Sequence, residues 1–102
     1  MKKYLFLDRD GTLIREPADE QIDTLEKLEF LPGIIRNLYK IQHQLGYKLI
    51  MVTNQDGLGT ENYPEEAFNR VQKKLLTTLE NEGIHFEAIK IDASTKTNPS
   101  SN

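Results

Sequence analysis

The feature that most constrains this chain is an apolar run near its start that stops abruptly at acidic residues. Residues 4–7 read Tyr-Leu-Phe-Leu, and Asp8, Arg9, Asp10 and Gly11 follow at once. An unbroken apolar run of this length is typical of a strand buried on both faces in a parallel sheet. Since residues two apart share a face of an extended chain, Asp8 and Asp10 are predicted to point into one crevice while Arg9 points away. Gly11 permits an immediate turn.

The spacing of the two carboxylates favours a metal site. Carboxylates this close repel each other unless one keeps its proton or a cation lies nearby. Mg²⁺ takes one or two protein carboxylates and completes an octahedron with water, carbonyl and phosphate oxygens. Asp8 and Asp10 are therefore the candidate Mg²⁺ ligands, in the crevice where parallel sheets bind their ligands. The alternative is a surface Asp-Gly turn that closes a strand, with Thr12 capping the next segment.

Hydrophobic periodicity predicts that two helices alternate with three strands. The first helix is predicted to open at Pro32 and to end at Gly46, and the second to run from Pro64 to Gly83. The first predicted helix has an apolar stripe on one face, formed by Ile34, Ile35, Leu38, Ile41 and Leu45. The second and third strands are predicted at residues 48–52 and 86–91. Two right-handed crossovers then give the α/β class, with a partial Rossmann-like parallel sheet in the order 1-2-3.

The second strand ends on polar residues, as the first one does. Thr53 and Asn54 are predicted to arrive beside Asp8 and Asp10, where a hydroxyl and free backbone N–H groups suit phosphate oxygens. The alternative is an ordinary polar strand end. Between the first strand and the first helix, the acidic residues 14–28 show no clear period and predict either a flap over the crevice or a solvated connector.

Composition narrows the possible partners of the chain. Its 102 residues carry a net charge of −3 with scattered basic residues, which argues against a nucleic-acid partner. The apolar run is too short for a signal peptide or a membrane segment, so a cytoplasmic protein is expected. The chain has no cysteine, and His43 and His85 are predicted to face solvent rather than to bind metal.

Three stretches, at residues 6–14, 28–33 and 53–60, resemble the haloacid dehalogenase superfamily of phosphatases. Within it they are most similar to the histidinol-phosphate phosphatases, including the amino-terminal domain of the bifunctional histidine-biosynthesis enzymes. The resemblance covers residues 3–91. The Asp-Gly-Leu-Gly at residues 56–59 departs from the related heptose bisphosphate phosphatases, which usually have Ser-Gly there and remain the alternative.

The resemblance implies a role for each site residue. Asp8 would be the nucleophile that forms an aspartyl-phosphate, and Asp10 the general acid and base, whose backbone carbonyl also reaches Mg²⁺. The implied phosphate- or substrate-binding residues are Thr53, Asn54, Gln55 and Arg9. The implied substrate is a small phosphorylated molecule.

The sequence also departs from this family after its third strand. The family continues there with a Cys and His zinc loop, a phosphate-binding Lys and an Asp-rich metal motif, and none of these is present, so no structural zinc is expected. Residues 1–91 are interpreted as the amino-terminal half of a phosphatase domain, and residues 92–102 as a disordered tail. Because the family sheet has the order 5-4-1-2-3, strand 1 would become an open edge. We therefore expect low activity and self-association, or a non-catalytic fragment.

Overall fold

The computed structural model of the chain describes residues 2–93. The elements are β1 (Lys3–Asp8), α1 (Ile34–Tyr39), β2 (Tyr47–Asn54), α2 (Glu65–Asn81) and β3 (Phe86–Asp92). A 3₁₀ turn at Leu25–Lys27 precedes α1, and a π-helical segment at Lys40–Gln44 continues it. Asp92, assigned to the tail from the sequence, ends β3, and the rest of the predicted tail from residue 94 onward lies outside the described residues.

The three described strands form one parallel sheet in the order β1-β2-β3, as predicted. Lys3 pairs with Tyr47 at one end of the β1–β2 ladder and Asp8 pairs with Val52 at the other. Since β1 and β2 run in the same direction, both deliver their last residues to one edge of the sheet. The fold class and the strand order derived from the two crossovers are therefore confirmed.

A single core lies between one face of the sheet and both helices. Leu49 and Met51 of β2 contribute the sheet side of this core. The fully buried residues that pack with them come from both helices and from the segments that flank them: Leu13, Ile14, Ile22, Leu38, Val71, Leu75, Leu79 and Ile84. Because Ile22 is among them, residues 14–28 are anchored to the core and do not form a freely solvated connector.

The other face of the sheet is open where β1 lies. Tyr4 and Phe6 point to this face and are 46% and 58% exposed, whereas Leu5 and Leu7, on the opposite face, pack against the core. The prediction that residues 4–7 are buried on both faces is therefore wrong for this chain, because no described element covers the Tyr4 side. The open edge and uncovered apolar face expected from the strand order are present.

The first helix differs from its prediction at both ends. It begins at Ile34 and not at Pro32, because Gly33 has a φ of 76°, which interrupts the helical path. Near its end, the Leu45 N–H bonds to the Lys40 carbonyl five residues earlier. This wider π turn shifts Leu45 off the 3.6-residue stripe, and its side chain is 51% exposed.

The second helix follows its prediction closely. Pro64 precedes its first residue, and Phe68, Val71, Leu75 and Leu79 are buried on one side. Gly46 and Gly83, predicted to end the two helices, have the positive φ values of 77° and 82° that are typical of helix termini. His43 and His85 are exposed, as expected.

Candidate functional site

The carboxyl edge of the sheet holds a cavity of about 170 Å³. Asp8 is the last residue of β1, and the chain turns immediately afterwards at Gly11, which has a φ of 86°. The residues that line the cavity are Asp8, Arg9, Asp10, Glu16, Val52, Thr53 and Asn54. The structure therefore brings Asp8, Asp10, Thr53 and Asn54 together, while their chemical roles remain predictions.

The two aspartates have opposite surroundings. The Asp8 side chain is exposed, and its carboxylate accepts no hydrogen bond from any residue in the described part of the chain. The Asp10 side chain is 10% exposed. Its Oδ1 lies 2.6 Å from Arg9 Nε, and its Oδ2 lies 3.1 Å from Gln55 Nε2. Asp8 is thus open to a ligand, whereas Asp10 is held in place.

Arg9 is fully buried beneath the cavity. Besides Asp10, its guanidinium contacts Gln72 Oε1, 2.9 Å from Nη1, and the ring of Phe68, whose centroid is 4.8 Å from Cζ. The prediction that Arg9 points away from the carboxylates is wrong, because the chain leaves its extended path at residues 9–11 and the two-residue alternation stops. The role of Arg9 in binding phosphate stays a prediction, and its buried contacts favour a role in holding Asp10.

Gln55 connects the two halves of the site. Its Nε2 lies 2.7 Å from Thr53 Oγ1, and its Oε1 accepts a hydrogen bond of 2.8 Å from the Tyr63 hydroxyl. Tyr63 is fully buried, and this burial raises its pKa, against the opposing effect of the Arg9 charge. The predicted substrate residue Gln55 is thus 1% exposed and bonded on both sides within the protein.

Sequence reasoning missed Glu16, Tyr63 and Gln72. Glu16 lines the cavity from the loop after β1. Nothing in the amino-acid sequence around Glu16 distinguishes it from the other acidic residues nearby. Gln72 did carry a signal, since it lies at a core position of α2 directly after Val71 and three residues before Leu75. A polar side chain buried at such a position needs a partner, and here the partner is Arg9.

The donor set at the edge fits Mg²⁺. Among the described residues, none bonds to the Asp8 carboxylate, and no N–H bonds to the Asp10 backbone carbonyl. Within residues 2–93, no group of three or more acidic, His or Cys side chains is placed to hold a metal ion. Mg²⁺ needs only one or two carboxylates and otherwise uses water, carbonyl and phosphate oxygens, so an open site of this kind suits it.

The acidic loop before α1 is folded onto itself next to the cavity. Lys27 Nζ lies 2.8 Å from carboxylate oxygens of both Asp19 and Asp23. These contacts raise the pKa of Lys27, and the Lys27 ammonium lowers the pKa of Asp19. A second cavity of about 310 Å³ lies between this loop and the sheet edge, and it shares Glu16 and Asn54 with the first.

The parallel sheet brings an exposed aspartate, Asp8, and a held aspartate, Asp10, together at its carboxyl edge, and the family of the chain follows from its similarity to known proteins. Residues 3–100 match the profile of the family described as polynucleotide kinase 3 phosphatase. The chain belongs to this family.

Similar proteins include bifunctional proteins named for histidine biosynthesis. The chain is 55% identical over 94 residues to "Histidine biosynthesis bifunctional protein HisB" of Bacteroides fragilis, a match that covers 91% of this chain and 25% of the relative. It is 48% identical over 93 residues to the protein of the same name from Spirosoma linguale, covering 90% of this chain and 24% of that one. The chain therefore spans about a quarter of the length of these relatives.

Solved structures confirm the fold. The D,D-heptose 1,7-bisphosphate phosphatase of B. bronchiseptica, complexed with magnesium and phosphate, has a TM-score of 0.76 at 24% identity, over 87% of this chain and 49% of that chain. A putative phosphatase of the haloacid dehalogenase type from Mesorhizobium loti has a TM-score of 0.77 at 22% identity, over 99% of this chain and 46% of that one. Of the helices in the described residues, none combines the length and the apolar character needed to cross a membrane.

Proposed function

We propose that the chain carries the nucleophile of a Mg²⁺-dependent phosphomonoester hydrolase that converts histidinol phosphate to histidinol and phosphate. The observation that carries this proposal is the pairing at the sheet edge of Asp8, exposed and bonded to none of the described residues, with a held Asp10 carboxylate. The names of the similar bifunctional proteins support a place in histidine biosynthesis. A cytoplasmic location is part of the same proposal.

In the proposed reaction, an Asp8 carboxylate oxygen attacks the phosphorus atom. The bond between phosphorus and the ester oxygen breaks, and Asp10 gives its proton to the departing oxygen. Asp10, then a carboxylate, takes a proton from the water that attacks the aspartyl-phosphate, which releases phosphate and restores Asp8. The hydrogen bonds that Asp10 accepts from Arg9 and Gln55 suit the carboxylate that acts in this second step.

The other residues of the edge bind and orient the phosphoryl group in this proposal. The Thr53 hydroxyl and the Asn54 side chain line the cavity and are the donors for its oxygens. The Asp8 carboxylate and the Asp10 backbone carbonyl would hold Mg²⁺, whose charge offsets that of the phosphate. Arg9, the one cation among the lining residues, is buried and paired with Asp10, so it offers the phosphate little free charge.

Phosphate release from histidinol phosphate in the presence of Mg²⁺ tests the proposal. We expect slow release from this chain alone, because removal of a single charge-stabilising donor typically costs about 10²–10³ in rate and the described residues that line the cavity include no free cation. Adding a polypeptide that supplies a lysine and further carboxylates is expected to raise the rate. Asp8→Asn should abolish phosphate release both from the chain alone and in the presence of the added polypeptide.

The control for Asp8→Asn is Glu87→Gln, which removes the same charge from an exposed position on β3. It should leave the rate unchanged. Faster release from heptose bisphosphate than from histidinol phosphate would contradict the substrate assignment. Release that survives in Asp8→Asn would contradict the nucleophile.

A second candidate function is a non-catalytic chain that associates with a copy of itself. The exposure of Tyr4 and Phe6 on the open face of β1 favours it. Stable dimers together with no phosphate release, even in the presence of the added polypeptide, would support this candidate over the hydrolase.

A further inference from the structure

A chain of buried hydrogen bonds lies directly beneath the cavity. It runs from Asp10 through Gln55 to Thr53, with Tyr63 bonded to the far side of the same Gln55 amide. Gln55 and Tyr63 are 1% and 0% exposed, so water does not replace these bonds. The polarity of each bond follows from the chemistry of the groups.

The Gln55 amide has one orientation that satisfies its neighbours. An ionised carboxylate only accepts hydrogen bonds, so the Gln55 atom 3.1 Å from Asp10 Oδ2 is the nitrogen. The same nitrogen gives its second N–H to Thr53 Oγ1, at 2.7 Å. The amide oxygen then faces Tyr63, whose hydroxyl must donate. The reversed amide would set its oxygen against the Asp10 carboxylate and leave its nitrogen toward Tyr63.

This polarity has a consequence for Thr53. Its Oγ1 receives a hydrogen bond from Gln55, so its own O–H proton is not used in that contact. No acceptor for this proton occurs among the described residues, although the Thr53 residue is only 5% exposed and lines the cavity. A nearly buried donor at the wall of the cavity is therefore free to bond to an oxygen there, of water or of a ligand.

We propose that Tyr63 and Gln55 are positioning residues that fix the hydrogen-bond polarity of the site, so that the Thr53 hydroxyl is left as a donor to a phosphoryl oxygen. The last clause rests on the proposed function, while the polarity itself does not. Tyr63 suits the task because its loop holds it rigidly. Its backbone N–H bonds to the Thr60 carbonyl, its carbonyl accepts from Gly59, and its ring packs edge-on against Phe68.

Hydrogen exchange of the Gln55 side-chain amide tests the positioning role of Tyr63 without any assay of activity. The two Gln55 amide protons are assigned in the ¹⁵N-labelled chain by their loss in Gln55→Met. In Tyr63→Phe, which removes only the hydroxyl, we expect these protons to exchange about tenfold faster, the effect of losing one hydrogen bond of ordinary strength. The control is Tyr47→Phe in β2, which should leave the exchange unchanged. Equal exchange in Tyr63→Phe and the unaltered chain would overturn the proposal.

The polarity itself is tested in the unaltered chain, which needs no Tyr63→Phe variant. Proton–proton contacts measured by NMR should connect the Gln55 amide protons to the side chain of Thr53. Contacts to the ring protons of Tyr63 in their place would mean that the amide is reversed, and they would overturn the proposal.

A binding measurement tests whether the Thr53 hydroxyl donates to a phosphate oxygen. Inorganic phosphate is titrated with Mg²⁺ into the chain, and the backbone amide signals of Thr53 and Asn54 are followed. Gln55→Glu, which keeps the shape of the side chain but turns the donor toward Thr53 into an acceptor, should weaken binding about tenfold or more. Equal binding would overturn the role of Thr53 as donor. If inorganic phosphate leaves the signals of the unaltered chain unchanged, the result counts against the proposed function, and the proton–proton contacts still decide the polarity.

Discussion

Two carboxylates that stand two residues apart in the sequence differ in what they can do. Asp8 ends β1 with an exposed side chain and no partner among the described residues, whereas Asp10 is fixed by Arg9 and Gln55. A nucleophile needs freedom to approach phosphorus, and an acid–base group needs a constant position relative to the reacting oxygen. Their surroundings therefore support different roles for the two residues.

The buried phenol beneath the site predicts a loss of stability in alkali. Burial raises the pKa of Tyr63 above its ordinary value of 10.0. As the pH rises, the unfolded chain gives up this proton first, so the stabilising contribution of the neutral phenol is complete below the ordinary pKa. It is lost as the pH rises through the pKa of the folded state. We expect Tyr63→Phe, which has no such proton, to lose less stability between about pH 8 and pH 11 than the unaltered chain.

Urea unfolding of both proteins at the two pH values measures this difference. Lysines and the other tyrosines are common to both proteins, so their titration cancels in the comparison. A gap between the two free energies of unfolding that stays constant with pH would contradict the prediction.

At the scale of the elements, the fold could be predicted because each strand and helix carries its own periodic signal. The apolar stripe of α2 and the run in β2 indicate which residues pack, although half of the β1 run is exposed. The tendency of consecutive strands to lie side by side then predicts the strand order. The convergence of Asp8 with Thr53 followed from the same topology. These features depend on residues close in sequence or on a general rule of chain geometry.

What could not be predicted depends on contacts between residues distant in sequence. Arg9 turns inward because Gln72, from α2, offers a buried acceptor 63 residues away. Tyr63 reaches Gln55 because the intervening loop turns back through bonds between backbone groups. The exposure of Leu45 comes from one i to i+5 hydrogen bond, which the apolar spacing does not reveal.

Two glycines at helix ends allow a paired prediction. Gly83 and Gly46 both have positive φ, so alanine at either position should cost about 1–2 kcal/mol of backbone strain. A Cβ at Gly83 would lie 3.3 Å from Cε2 of Tyr39, whereas a Cβ at Gly46 meets nothing within 4 Å. We therefore expect Gly83→Ala to destabilise the chain more than Gly46→Ala.

Thermal unfolding of the two variants checks this ranking, and Gly46→Ala serves as the measure of strain alone. The ring centroids of Tyr39 and His43 lie 4.4 Å apart, and His43 Nε2 contacts the Gly83 carbonyl. These contacts oppose displacement of the Tyr39 ring by a Cβ at residue 83. Equal losses in the two variants would mean that Tyr39 moves aside without cost.

For the whole molecule, the placement of both helices on one face of the sheet leaves β1 with an open edge and an apolar outer face. Tyr4 and Phe6 lie there, and the open edge of a strand also presents unpaired backbone groups. A strand edge and an apolar face of this kind favour association. We propose that, when no other protein is present, a second copy of the chain covers the open edge and the apolar face of β1.

Concentration-dependent self-association follows from this proposal, and Phe6→Ser should reverse it. Burial of a phenylalanine side chain contributes about 1.5–3 kcal/mol, so its loss should weaken association about tenfold or more. Analytical ultracentrifugation over a range of concentrations measures the effect. Leu45→Ser is the control, because Leu45 is similarly exposed but lies outside the sheet. A monomer at every concentration would contradict the prediction.

The register of the sheet also bears on how the chain folds while it is being synthesised. Lys3 meets Tyr47, and Asn54 meets Asp92, only after about forty intervening residues have been synthesised and folded back. At a synthesis rate of about 5–20 residues per second, β1 waits for roughly 2–8 seconds before β2 exists. Through that interval the strand that ends in Asp8 has no neighbour with which to pair. On the ribosome, the first strand therefore stays available for pairing with other chains until the second strand emerges.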